Sequence, residues 1–361
     1  MRRVLITGGL GFLGSALVSE FASSGFEVRI FSRQGRRPPS FVHPQGHPIV
    51  WGDIRDASAV DRAVDGMKIV VHTVSNFREA RTDDQAHPIN VTGTDNLLRA
   101  AARHRVDRVV ICSTIGVHGS VARPPANEAS PYNPGDVYQE TKVEVEQHAR
   151  RFEREERIPV CILRPASLYG PGDLRMLKLF RLIQQRRFIL LGKGDAFFHP
   201  AYIGDVARAF VLAAEHPRAA GQTFIVGGEE YLLLRDLITA IAAHLRVAPP
   251  RLRIPLWPVD FLARVCETVC APLNLEPPLH RRRMSFFRNN RAFSVEKAKD
   301  LLGFRPQVSL QEGLERTISW YESQGLLARR PDPGAGRQLT QAATVARPEA
   351  APAPDTTRSS L

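Results

Sequence analysis

The chain has 361 residues, 43% of them hydrophobic, and a net charge of +12. That apolar content supports a packed interior and excludes global disorder, and the length suits one large α/β unit plus a smaller part. Without a continuous apolar run of 18 residues no membrane span is expected, and Arg2 and Arg3 lead into a glycine-rich turn instead of a secretion-signal core, so a cytoplasmic protein is expected.

The first predicted strand, RVLIT (3–7), runs into TGGLGFLG (7–14) and a helical segment over 12–24. A strand, a turn with glycines at every third position and a helix together form a dinucleotide fingerprint. Gly8 permits the tight turn, Gly11 lets a pyrophosphate approach the backbone, and Gly14 lets the helix pack on the strand. The helix N-terminus offers free N–H groups and partial positive charge to the phosphates. The second strand, EVRIF (27–31), ends in Ser32 and Arg33, with Arg36 and Arg37 beyond. An acid at that place would grip the ribose hydroxyls of NAD; positive charge without a carboxylate favours a 2′-phosphate, hence NADP over NAD. A third strand, HPIVW (47–51), leads to Asp53, which can accept from the adenine amino group or cap the helix 57–65.

Strands KIVVHT (68–73), DRVVICS (107–113) and PVCILR (159–164) alternate with helices 89–104 and 137–156. Continuous apolar runs of this kind fit strands buried on both faces, so the fold class is α/β: a doubly wound parallel sheet with helices on either side. Residues 1–165 form its dinucleotide-binding core. Tyr138 and Lys142, in YQETK, stand one turn apart on one face of the last helix. An ammonium near a phenol lowers the phenol's pKa from about 10, which would make Tyr138 a usable acid or base near neutrality. CST (112–114) places the hydroxyls of Ser113 and Thr114 at the carboxyl edge of the sheet, where ligands bind.

Beyond 165 the alternation loosens. Helices 175–185, 204–216, 235–245 and 310–323, strands 187–192 and 222–227, and a partly helical apolar stretch over 254–287 make a mixed substrate-binding region, 166–330, with some elements returning to the sheet. From 331 the composition turns to Ala, Pro, Thr, Arg and Ser, so 331–361 is expected to be a disordered tail. The densest positive cluster, RRRMSFFRNNR (281–291), could stack on bases, clamp a diphosphate or form a solvated basic face. The basic excess is not arranged on a recognised nucleic-acid module, so no nucleic-acid partner is expected. The four cysteines and the His43/His47 pair lack the spacing of a ligand set, so no metal is expected either.

Taken in order, TGGLGFLG, GDIRD, VVHTVS, NVTGTDNLLRAA (90–101), STIGVHG (113–119), YQETK, LRPASLYGPGD (163–173), FFHPAYIGDVARA (197–209) and LLGFRPQVSLQEGLERTISWY (301–321) resemble the extended short-chain dehydrogenase/reductases. These include nucleotide-sugar epimerases and dehydratases and 3β-hydroxysteroid dehydrogenase-like enzymes. The resemblance covers about residues 1–325 and implies a Rossmann-type sheet with a smaller C-terminal α/β part. It implies that Tyr138 is the acid/base, that Lys142 holds the nicotinamide ribose, and that Thr114, with Ser113 as second candidate, hydrogen-bonds the reacting oxygen. It makes Asn90 a structural residue near the site. The implied cofactor contacts are Thr7, Gly8, Gly11, Phe12, Leu13, Gly14, Ser32, Arg33, Asp53, Ile54, Tyr138, Lys142 and Pro165. A homodimer through helices 89–104 and 137–156 is expected by analogy.

Several departures from that pattern steer the choice within it. His118 replaces a usual Tyr and is expected to alter the pocket wall. HTVSNFREA makes the loop after the fourth strand unusual. Ile115 and Gly116 stand where the sugar dehydratases place Asp-Glu. Residues 254–273 are apolar beyond the needs of a sugar site and resemble the steroid-dehydrogenase-like branch, where this part covers a hydrophobic substrate. The expected activity is interconversion of a secondary alcohol and a ketone in a bulky apolar small molecule, with NADP or NAD. A nucleotide-sugar epimerase or reductase and a non-catalytic dinucleotide sensor are the alternatives.

Overall fold

The computed structural model describes residues 2–35, 46–77, 83–270 and 281–330, with the backbone alone for 267, 269 and 281–283. Seven strands form one sheet: Arg3–Thr7 (β1), Glu27–Ser32 (β2), Ile49–Trp51 (β3), Ile69–His72 (β4), Arg108–Cys112 (β5), Val160–Pro165 (β6) and Thr223–Val226 (β7). Every pairing is parallel, in the order β7-β6-β5-β4-β1-β2-β3. The order reverses between β1 and β4, which opens a crevice at their carboxyl ends.

Both faces of this sheet are covered, and the strand sequences show why. Side chains alternate across a strand, so an unbroken apolar run feeds two cores at once. Val4 and Ile6 enter one core with Phe21 of the Phe12–Ser23 helix and Phe210 of the Ile203–Glu215 helix. Leu5 enters the other, with Val60 of Ala57–Val64, Leu97 of Gly93–Arg103 and Val145 of Val137–Glu156. A third core joins the helices Leu177–Gln184, Leu234–His244 and Leu310–Ser323 through Phe180, Leu237 and Tyr321.

The predicted elements are found with two informative changes. The helix expected from 89 opens as a π-turn, Pro88–Thr92, before the α-helix Gly93–Arg103, and its wider winding carries the buried Asn90. The strand expected over 187–192 contracts to Leu190–Leu191, paired with Arg253–Ile254. The strand expected over 222–227 lies in the main sheet beside β6. Met1–Leu327 is one compact unit. The tail expected over 331–361 lies outside the described residues. No helix among the described residues is long and apolar enough to cross a membrane.

Candidate active site

The crevice is built from the loop after β1 upward. Gly8 has φ +74°, a left-handed conformation that glycine adopts without strain. A Cβ on Gly14 would stand 2.1 Å from the Gly8 carbonyl oxygen, so helix and turn meet backbone to backbone. Gly11 precedes the Phe12–Ser23 helix, whose start has no side-chain cap and no acid in its first turn. Those N–H groups are available to an anion. A cavity of about 370 Å³ opens above them, lined by Gly8, Phe12, Ser32, Arg33, Asp53 and Ile54 among the expected contacts. A bare backbone turn, an uncapped helix start and a cavity at the switch point fit a dinucleotide.

Other expected contacts are placed elsewhere. Thr7 is fully buried, and its Oγ1 is 2.8 Å from His72 Nδ1. Pro165 pairs with Val226 inside the sheet. Asp53 does not cap the following helix; Asp56 does, accepting from Ser58 N and Ala59 N. Asp53 instead turns back onto Arg55, whose backbone and guanidinium N–H groups hold its carboxyl below the ordinary range although burial opposes them. Arg36 and Arg37 lie outside the described residues. The cavity also uses residues with no earlier assignment: Ser75, Asn76 and Phe77 after β4, and Gly172 to Arg175 after β6. The Arg175 guanidinium lies 4.9 Å from the Phe12 ring centroid and donates to Asp173 and to the Leu168 carbonyl.

Tyr138 stands in the first turn of the Val137–Glu156 helix, which Asp136 caps by accepting from Gln139 N. Its ring packs edge-on against Phe77, centroids 5.1 Å apart, and its hydroxyl neighbours Ser75. Both partners line the cavity. Lys142, one turn on, is buried and donates from Nζ to the Cys112 carbonyl oxygen at 2.9 Å. The expected lowering of the Tyr138 pKa is corrected here. Burial pushes the phenol up, the Cys112 thiol adds to the rise, and Ser75 opposes it. Lys142 is drawn toward the end of β5, and burial lowers its own pKa.

The two hydroxyls after β5 part company, as neighbours at a strand end should. Thr114 Oγ1 accepts from Gly116 N at 3.0 Å and caps a short turn, Ile115–His118. Ser113 points into the protein and donates to Glu146 Oε1. Glu146 also receives Nε of Arg164 at 2.9 Å and the Tyr132 hydroxyl at 2.8 Å. Arg164 donates to His118 Nε2 at 3.0 Å, while His118 Nδ1 lies 3.0 Å from the Pro131 carbonyl. His118 is therefore a neutral ring accepting from Arg164, with burial holding its pKa down, and it is not part of the cavity wall.

A second polar chain supports the crevice from below. Thr94 donates to the Asn90 carbonyl, so it accepts from His72 Nε2–H, and Nδ1 accepts from Thr7. Asn90 in turn accepts from Asn76 N at 2.7 Å and donates to Thr141, which joins the β4 loop to the Tyr138 helix. Burial, followed by Lys142, pulls His72 down to about 3. With the folded pKa below the unfolded one, His72 stabilises the protein above about pH 6.5. That contribution is lost at about 1.4 kcal/mol per pH unit as pH falls from 6.5 toward 3. His72→Gln is expected to flatten this dependence. Urea unfolding of both proteins at about pH 7 and about pH 5 checks it, and equal slopes would refute it.

The arginine cluster divides. Arg288 pairs with Asp260, and neither it nor Arg291 lines the cavity; the side chains of residues 281–283 lie outside the description. Of the apolar stretch 254–273, residues 271–273 are likewise outside, and Trp257, Phe261 and Leu262 face solvent.

With this geometry in place, comparison with known proteins is direct. The family model of the NAD dependent epimerase/dehydratase family matches residues 4–227. The 3β-hydroxysteroid dehydrogenase/Δ5→4-isomerase of Mycobacterium tuberculosis is 30% identical over 344 residues, covering 89% of this chain and 90% of that protein. The 2-alkyl-3-oxoalkanoate reductase of Stenotrophomonas maltophilia is 32% identical over 328 residues, covering 87% and 98%. The crystal structure of the dTDP-glucose 4,6-dehydratase DesIV from Streptomyces venezuelae, with NAD bound, superposes with a TM-score of 0.73 at 26% identity, covering 90% and 99%.

Proposed function

The chain belongs to the NAD dependent epimerase/dehydratase family, as an NAD(P)-dependent oxidoreductase, and from that premise we propose that it interconverts a secondary alcohol and a ketone on a bulky apolar skeleton. The observation that supports this reading is the contact of Tyr138 with Phe77 and Ser75, two residues that line the crevice above the glycine turn; Tyr138 itself stands behind them and not in the cavity lining. One relative is named for a 3β-hydroxysteroid and the other for a 2-alkyl-3-oxoalkanoate.

In this proposal the bound nicotinamide supplies or accepts the hydride. The protein's share is positional and protic. Gly8, Gly11 and Gly14 let the diphosphate lie against the helix start. Tyr138 moves the hydroxyl proton. Thr114 accepts from Gly116 N, which leaves its own hydroxyl proton to hydrogen-bond the reacting oxygen. Ser113 has no such freedom, since it donates to Glu146. Lys142 fixes the end of β5 and stands one turn from Tyr138. A homodimer and a cytoplasmic location belong to the same proposal.

Ser32 and Arg33 line the adenosine end, so NADP is favoured over NAD. Fluorescence titration is expected to give tighter binding of NADPH than NADH, and Arg33→Ala is expected to narrow the gap. Tighter NADH binding by the wild type would reverse the preference. Product formation from 3β-hydroxysteroids, 2-alkyl-3-oxoalkanoates and nucleotide sugars with cofactor supplied, read on the organic product because epimerisation leaves the cofactor unchanged overall, tests the substrate class. Turnover confined to nucleotide sugars would move the assignment to the epimerase reading; binding of cofactor without turnover of any of them would favour a sensor.

A further inference from the structure

Guanidinium groups drawn into this protein are matched by acceptors. Arg164 has the Glu146 carboxylate, His118, the Tyr132 hydroxyl and the Glu128 carbonyl. Arg108 donates to the Ala213 and His216 carbonyls. Arg291 is different. Among the described residues its guanidinium makes no hydrogen bond and no ion pair. Yet the residue is half-buried, and burial pulls its pKa down. The Asp136 charge opposes that pull, but its carboxylate already accepts from Gln139 N and Gln139 Nε2 as the cap of the Tyr138 helix. A cation taken partly out of water with no acceptor of its own costs stability. An anion that comes and goes would complete it.

The backbone fixes where that anion must be. Arg291 N donates to the Phe197 carbonyl and Val121 N to the Asn290 carbonyl, both at 2.9 Å. Phe293 bridges to Ala126 and packs on the His118 ring, centroids 5.7 Å apart. The strip carrying Arg291 thus runs beside the chain that leaves Thr114. Asp136, two residues before Tyr138, acts on both Arg291 and the phenol. Gln139 closes the group from the other side, since a Cβ on Gly116 would stand 3.2 Å from its Cγ. Arg291 therefore stands on the Tyr138 side, and it does not line the cavity above the glycine turn. The anion it awaits belongs to the substrate and not to the dinucleotide.

We propose that Arg291 reads a carboxylate on the substrate, so that the molecule turned over is a hydroxy or oxo acid with its acid group near the reacting carbon. This rests on the reading of Tyr138 as the residue that moves the hydroxyl proton. A planar guanidinium fits a carboxylate with two parallel N–H···O bonds. A single unmatched cation suits a single negative charge. A nucleotide diphosphate brings more than one, and the neighbouring Arg288 is engaged by Asp260. A carboxylate held here would fix the reacting carbon against Tyr138 and leave the apolar skeleton to the rest of the C-terminal lobe.

Oxidation of a 2-alkyl-3-hydroxyalkanoate and of its methyl ester, with NADP supplied, tests this. The ester keeps the skeleton and removes the charge. In the wild type, KM for the acid is expected to lie about 10- to 100-fold below that for the ester, the usual worth of hydrogen bonds to a charged group. Arg291→Met is expected to raise the acid's KM until the two substrates are alike. Arg291→Lys is expected to keep part of the difference, because a point charge remains without the fork. Since Arg291→Met removes an unmatched charge, its thermal midpoint is expected to be no lower than that of the wild type. Equal KM for acid and ester in the wild type overturns the proposal, as does a preference for the acid that Arg291→Met retains. A lower midpoint with an unchanged acid-to-ester ratio would assign the arginine to the fold alone. If neither compound is oxidised, the proton-transfer reading fails separately, and thermal stabilisation of the NADP-saturated protein decides the carboxylate. Stabilisation by the acid above the ester, lost in Arg291→Met, upholds it; equal stabilisation overturns it. Stabilisation by uridine diphosphate and not by the acid, lost in the same variant, would give Arg291 to a diphosphate and overturn it as well.

Discussion

Tyr138→Phe is expected to lower kcat for ketone reduction by about 10²- to 10⁴-fold, the usual contribution of a positioned proton donor. Cofactor-induced thermal stabilisation is expected to be unchanged. The substitution removes one oxygen and keeps the ring, so the edge-on contact with Phe77 survives. The oxygen removed is the one that meets Ser75, so the substitution gives up that single polar contact and keeps the ring's packing. The direction of its pKa shift adds a second readout. Burial favours the uncharged form, so at neutral pH the phenol carries the proton that reduction needs. Alcohol oxidation needs the same proton gone. In the wild type, kcat/KM for reduction is expected to hold through neutrality and fall in alkaline solution, and kcat/KM for oxidation to rise there. Equal kcat in Tyr138→Phe and wild type, with product formation verified, would remove Tyr138 from the proton step.

Much of this arrangement is legible in the sequence because it is local. The glycine spacing fixes a turn, the apolar runs fix strands buried on both faces, and four residues between Tyr138 and Lys142 fix a shared helix face. What is not legible depends on who meets whom across the sheet. From sequence, an ammonium one turn from a phenol reads as its partner, yet the nearest strong acceptor is the Cys112 carbonyl at the end of β5, and Lys142 takes it. His118 reads as a change in the pocket wall because a neighbouring sequence position is the only context available. Its real context is the Arg164 guanidinium, supplied by a strand 46 residues away. Asp53 reads from sequence as a possible cap, and the structure gives that place to Asp56, three residues on. Ser75 and Phe77 sit in a loop whose sequence looks irregular, and only the switch point between β1 and β4 gives that loop its place at the crevice.

One signal was present and easily passed over. Glu146 continues the spacing of Tyr138 and Lys142 by another four residues, and Arg164 is the only charge in the apolar strand PVCILR. The structure joins them in a pair that is 2% and 3% exposed. Two charges out of water need each other and further hydrogen bonds, and both have them: Ser113 and Tyr132 on the carboxylate, His118 and the Glu128 carbonyl on the guanidinium. The pair thereby pins the Tyr138 helix to the end of β5 and to β6. Glu146→Ala leaves the Arg164 charge uncompensated and two hydroxyls short of a partner, and is expected to cost about 3–5 kcal/mol of stability. Urea unfolding is expected to show a lower midpoint with an unchanged slope. Adding Arg164→Met to Glu146→Leu is expected to recover most of the loss, because no buried charge then remains. If Glu146→Ala unfolds at the wild-type midpoint, the pair is not what holds the helix to the sheet.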